Sequence, residues 1–309
     1  MKMVHIIETR QLRKDYKGTA VVNDIDLAVE AGDIYGFLGP NGAGKTTTIR
    51  MLLGLIQPSA GDIRIFGKSL ADHRMEILRG IGSLVEYPSY YGNLTGQENL
   101  EAIRRLLKVR DKKRNLDILK TVGLMDAKDK LVKNYSLGMK QRLGIGIALL
   151  GMPKLLILDE PTNGLDPAGI QEIRELIKTL PALYGITILI SSHLLNEVDQ
   201  MASKVGIIHE GKLIFQNSIE ELRKKSNPRI TMRLNDSDHA RMLLQQEGWS
   251  VAVQPNGQLE IHETDDQKIA YIADKLVRKN MEIYRIEEQK RSLEDIFLEF
   301  TGPQRGVIS

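Results

Sequence analysis

The stretch that most constrains this chain is GPNGAGKTT, from Gly39 to Thr47. It fits G-x-x-x-x-G-K-[ST], with Gly39, Gly44, Lys45 and Thr46 at the fixed positions. The glycines let the backbone turn with its N–H groups pointing inward. A helix beginning near Lys45 adds its positive end, and together these make a cradle for phosphate oxygens. Lys45 offers a full charge to the outer phosphates, and the Thr46 hydroxyl can ligate Mg²⁺. Gly39, Asn41, Gly42, Gly44, Lys45, Thr46 and Thr47 are the candidate nucleotide contacts. The context agrees. An apolar strand-like run (residues 34–38) precedes the loop, and a helical pattern (Thr47, Ile49, Met51, Leu52, Leu53, Leu55) follows it.

Two later stretches belong to the same chemistry. LLILDEP reads as a buried strand ending in Asp159 and Glu160. In an open α/β sheet, ligands gather at the carboxyl ends of the strands. Asp159 can hold Mg²⁺ through water, and Glu160 can orient or deprotonate an attacking water. GITILISSH repeats the design and ends in His193, which should lie beside the same phosphates. YSLGMKQRLGIGIALL opens a helix, with Ser136 as its cap and Gly138 allowing close approach. That helix start offers a second positive end to an anion.

Composition excludes several alternatives. The chain has 309 residues and no cysteine, so disulfides, thiolate chemistry and cysteine metal sites are out. A net charge of +3 is small, so charge alone makes no strong case for nucleic acid as a partner. The longest apolar region, Leu143 to Leu158, is broken by Pro153 and Lys154 and is too short to span a bilayer. Any work at a membrane therefore requires docking to something embedded there.

In chain order, residues 4–9 and 20–30 read as strands joined by LRKDYKG. Tyr16 in that connection is placed to stack on a base. Residues 61–70 read as a strand and turn, and residues 80–86 as a short strand ending in Glu86. Tyr87, Tyr90 and Tyr91 then crowd one loop, which suggests a binding surface. Residues 96–133 form amphipathic helices without strand pattern, a helical insertion between two halves of a sheet. After a linker at 223–228, the pattern is β-α-β-β-α-β with an Asn256-Gly257 hairpin turn and a last helix in SLEDIFLEFTG. That order predicts a small ferredoxin-like domain. Arg278, Lys279, Lys290 and Arg291 there read as a solvated basic face.

In order and spacing, these elements over residues 5–225 resemble the nucleotide-binding subunits of ABC transporters. The resemblance implies an α/β fold of the P-loop NTPase class. It would comprise an ABC ATPase core (residues 1–222, with a helical subdomain at about 94–150), an accessory domain at 229–303 and a tail at 304–309. It implies ATP and Mg²⁺ as cofactors and ATP hydrolysis coupled to transport. Tyr16 falls at the adenine-stacking position, Glu160 at the catalytic carboxylate, Asp166 in the D-loop and His193 at the switch histidine. Glu86 stands where a glutamine is usual, and a carboxylate there would either ligate Mg²⁺ more strongly or repel the γ-phosphate and slow turnover. Residues 135–139 read YSLGM where the family signature is usually LSGGQ, with Ser136 and Gly138 kept. In the family, the signature of a second subunit covers the γ-phosphate. The implied partners are thus another copy or a paralogue, and an integral membrane permease docking near Tyr87, Tyr90 and Tyr91. The chain would sit peripherally on the cytoplasmic face of the membrane. GSLVEYPSYYGNLTGQENL further resembles the bacitracin- and lantibiotic-resistance branch, implying export or self-protection. The alternative is a soluble ATPase of the same type acting on nucleic acid or ribosomes.

Overall fold

The computed structural model describes residues 5–86, 88–224, 229–263 and 265–289. They belong to two compact units that divide after Ile219. The first unit opens with β1 (His5–Tyr16), β2 (Thr19–Ile25), β3 (Ala28–Glu30) and β4 (Ile34–Leu38), followed by α1 (Lys45–Leu52). Next come β5 (Ala60–Ile65), β6 (Lys68–Ser69), α2 (Leu70–Arg79) and β7 (Ile81–Leu84). The helical insertion comprises α3 (Gly96–Leu106), α4 (Arg114–Thr121) and α5 (Leu137–Leu149). The chain then returns through β8 (Leu155–Asp159), α6 (Pro167–Tyr184), β9 (Thr187–Ser192), α7 (Leu195–Asp199), β10 (Lys204–His209) and β11 (Lys212–Ser218), and α8 (Ile219–Lys224) begins where the units divide.

Two sheets result. One is antiparallel, in the order β2-β1-β5-β6, with β3 also paired to β1. The other has the order β11-β10-β4-β9-β8-β7, parallel except at the β11 edge. β1 is longer than the sequence suggests. It absorbs the charged LRKDY stretch that reads as a connection, and residues 20–30 split into two strands. The reason is that an antiparallel sheet tolerates charged side chains on a wet face, and here Arg10 and Gln11 are exposed while Leu12 is buried.

Both faces of the parallel sheet are covered, which is why its strands read as unbroken apolar runs. Along β8 the side chains alternate. Leu155 and Ile157 join the core with α1 and the antiparallel sheet. Leu156 and Leu158 face the core built with α5 and α6. Each fully buried Leu or Ile stabilises the fold by about 1.5–3 kcal/mol. Helix α3 begins with a reciprocal cap: Glu98 N–H donates to Thr95 Oγ1 at 3.2 Å, and Thr95 N–H to Glu98 Oε2 at 2.8 Å.

The second unit contains β12 (Arg229–Leu234), α9 (Ser237–Gln246), β13 (Val251–Val253), β14 (Leu259–Ile261), α10 (Asp266–Arg278) and β15 (Ile283–Gln289). Its antiparallel sheet runs β13-β14-β12-β15, the ferredoxin-like arrangement. The hairpin turns at Asn256-Gly257, where Gly257 has φ +78°. Ile230, Met232, Leu244, Leu259, Ile272 and Leu276 form its own core. The expected last helix, Lys290 and Arg291, the tail and linker residues 225–228 lie outside the described residues.

Candidate functional site

The register of the parallel sheet assembles the site. Leu38, the last residue before the phosphate loop, pairs with Ser192, and Asp159 pairs with Ser191. The loop, the acidic strand end and the histidine strand end therefore lie level at the carboxyl edge, with β4 flanked by β9. The loop itself is packed down hard. A Cβ on Gly39 would lie 2.4 Å from the Ile208 carbonyl oxygen. Gly44 caps α1 at φ +108°, and its Cβ would lie 2.8 Å from the Val21 carbonyl oxygen. No other residue type fits either position without moving backbone.

The resulting cleft measures about 320 Å³. Asn41, Gly42, Gly44, Lys45, Thr46 and Thr47 line it on the loop side, and Glu160 and His193 on the other. Two lining residues escaped the sequence reading. Asn163 follows the acidic pair by three positions, and Val21 belongs to the antiparallel sheet. The polar character of Asn163 just after the carboxylates was a usable signal. Nothing local marks Val21.

Lys45 is buried, with its Nζ donating to the Gly39 carbonyl at 2.7 Å and lying 3.2 Å from Glu160 Oε1. The other Glu160 oxygen, Oε2, lies 2.8 Å from His193 Nδ1. One carboxylate thus bridges the loop lysine and the strand-end histidine. Glu160 sits at φ +49°, a conformation that costs a non-glycine residue energy and persists only where its surroundings impose it. Ser191 is the imposing residue. Its hydroxyl accepts from Glu160 N–H at 2.9 Å and donates to Asp159 Oδ1 at 2.5 Å. Asp159 is buried, and burial raises its pKa above the ordinary carboxylate value. Hydrogen bonds from the Ser191 and Thr46 hydroxyls pull the other way.

The oxygen donors suit a hard divalent cation. The Thr46 hydroxyl helps to lower the Asp159 pKa against the effect of burial, so a hydroxyl and a carboxylate suited to Mg²⁺ act on one another here. The glycine cradle and buried Lys45 suit a triphosphate in the same way.

Seven candidates are not among the lining residues of this cleft: Gly39 and Asp159, which lie packed behind it, and five more. Tyr16 closes β1, is 45% exposed, and lies under Lys14 Nζ at 5.2 Å. The Glu86 carboxylate is ion-paired with Arg50 of α1, with about half its surface exposed. Ser136 caps α5, accepting from Met139 N–H at 3.2 Å. Gly138 faces Leu165, and Leu137 packs near Gly164. Asp166 caps α6, accepting from Gly169 N–H at 3.0 Å. Tyr87 lies outside the described residues.

Comparison with known proteins settles the family. A sequence profile described as "ABC transporter" matches residues 22–163. A second, described as "ATP-binding protein DrrA1-3-like, C-terminal domain", matches residues 218–301. The Bacitracin transport ATP-binding protein BcrA of Bacillus licheniformis is 45% identical over 302 residues, which is 97% of this chain and 98% of that one. The chain belongs to the ATP-binding subunits of ABC transporters. The Lantibiotic transport ATP-binding protein SrtF of Streptococcus pyogenes is 42% identical over 70% of this chain and 92% of its own. A solved structure, "Structure of ATP binding subunit of ABC transporter", superposes with a TM-score of 0.63 at 30% identity, over 71% of this chain and 92% of that one.

This ABC subunit therefore binds and hydrolyses ATP. Such subunits work as dimers with a membrane permease. Among the described residues, no helix is long and apolar enough to cross a membrane.

Proposed function

We propose that this subunit powers export of a peptide antibiotic of the bacitracin kind. The observation that carries this is the match to the bacitracin relative, 45% identical through 97% of the chain, against 36% over 96% for a daunorubicin/doxorubicin-resistance relative. The match to the lantibiotic relative spans 70% of the chain. Reconstitution with its permease in vesicles tests the reading. Bacitracin should raise ATP turnover several-fold above the basal rate, and a lantibiotic should raise it less. Stimulation by the lantibiotic alone would overturn the assignment.

In the site, Lys45 and the loop N–H groups hold the phosphates, and Tyr16 stacks on the base. Glu160 accepts the proton of the attacking water, and His193 holds the Glu160 carboxylate in place. Glu160 acts as general base with Oε2 held by His193, and Oε1 becomes free for the water when Lys45 turns to the phosphates. Ser136 and Gly138 of a second copy complete each pocket, with Asp166 shaping the loop between them. Support for the shared site comes from the placement of Ser136 and Gly138 outside the chain's own cleft. Mg²⁺, once bound, supplies charge neutralisation of the phosphates. Thr46 and Asp159 would hold it.

Glu86 would join as a third metal ligand only by leaving Arg50. That pair is exposed and contributes no more than about 1 kcal/mol, so it is easily broken. Glu86→Gln should shift the Mg²⁺ concentration for half-maximal turnover while leaving the melting temperature nearly unchanged. Identical Mg²⁺ titrations for the two proteins would remove the ligand role.

Tyr90 and Tyr91 face the permease in this reading, with Tyr87, and the chain sits peripherally on the cytoplasmic face of the membrane. Their loop is rigidly seated. The buried Asn99 side chain accepts from Tyr91 N–H at 2.7 Å and donates to its carbonyl at 3.0 Å. Tyr90 packs on the helical-subdomain core, under Lys140 Nζ at 6.0 Å. A push on the loop is therefore carried to α5, the helix that Ser136 caps.

A further inference from the structure

A second surface of the helical subdomain stands apart from the nucleotide cleft. Leu106 and Leu107, at the end of α3, are 75% and 49% exposed. Met152, in the turn after α5, is 66% exposed. A Cβ on its neighbour Gly151 would lie 3.7 Å from Leu107 Cδ1, so the two segments adjoin. Lys108, Arg110, Lys112 and Lys113 follow in the same connection, all exposed. Asp111 is the one acidic residue of the connection between α3 and α4 (residues 107–113), and it caps Lys113 N–H at 2.9 Å.

The connection is built rather than loose. Arg104 is buried, and its guanidinium binds the Glu101 carboxylate on one side and the Val109 carbonyl on the other. At the other end, Arg114 donates to the Leu149 carbonyl at 2.9 Å and stacks over Tyr184 at 5.0 Å. Two arginines are thus spent on holding the segment's backbone. The other four cations take no part in the ion pairs among the described residues and are turned to water.

We propose that this corner seats on an anionic lipid surface. Exposed leucines and a methionine beside unpaired lysines match the two layers of a membrane interface, acyl boundary and charged headgroups. Lysine is a compact, hydrated point charge suited to headgroups, without the planar fork that favours carboxylate partners. The subunit's permease is embedded in a bilayer, so that surface is near. The contact would orient the subunit beside its permease and add to the affinity of the assembly without touching the ATP site.

Flotation of the intact chain with phosphatidylcholine vesicles, and with vesicles containing about one-third phosphatidylglycerol, tests this. Binding is expected only to the anionic vesicles and should weaken with salt. Lys112→Glu/Lys113→Glu should lower it by about tenfold or more. Leu106→Asp should lower it as well, with basal ATPase activity unchanged in both. Lys212→Glu/Lys279→Glu, with the same change in net charge elsewhere, should leave it nearly intact. The proposal is overturned if wild type ignores anionic vesicles or if the two double variants lose binding equally. It is also overturned if the corner's variants impair only assembly with the permease in neutral detergent, which would make the surface a protein-docking site.

Discussion

Glu160→Gln is expected to lower ATP hydrolysis by about 10²–10⁴-fold, the usual contribution of a positioned general base. The amide keeps the shape and loses the proton acceptor. It also loses the ion pair with Lys45, whose Nζ lies 3.2 Å from the carboxylate. Because that carboxylate competes with phosphate for the lysine, nucleotide affinity should rise, by up to about tenfold. The variant should then persist as an ATP-bound dimer. Size-exclusion chromatography with Mg-ATP reads the dimer, and a fluorescent nucleotide reads the affinity. A variant that stays monomeric, or that turns over at the wild-type rate, would sink the shared-site mechanism.

Lys45→Ala should act in the opposite direction on binding. Hydrogen bonds from a charged donor contribute about 1.5–3 kcal/mol, so nucleotide should bind about 10–150-fold more weakly. The loss is compounded because Glu160 then faces the phosphates with only His193 as partner. Combining Lys45→Ala with Glu160→Gln should recover part of the lost affinity, since the residues touch and their effects cannot be independent. Equilibrium binding on the four proteins checks this. Strict additivity would show that the Lys45–Glu160 ion pair has no bearing on nucleotide binding.

Much of the site was legible because phosphate binding demands a local motif. The loop from Gly39 to Thr47 must be contiguous to wrap one group, so its residues are adjacent in sequence as well as in space. The same holds for Asp159 and Glu160, which need only end a buried strand. The ferredoxin-like unit was legible from its strand and helix order and the Asn256-Gly257 turn. The charged strand β1 was not, because its charges are compatible with a loop and with a half-wet sheet alike. Only pairing with β2 and β5 distinguishes the two.

Sequence alone thus determined the glycine-rich loop, the adjacent carboxylates that end a buried strand and the order of the elements. These depend on residue types at short fixed spacings. The tertiary structure decided what lies between distant segments. It joined Glu160 to both Lys45 and His193, and it gave Ser191 the task of holding both carboxylates. It also turned Glu86 onto Arg50. The physical reason is that sheet register sets which strand ends are level, and register is a property of paired strands that neither strand carries by itself.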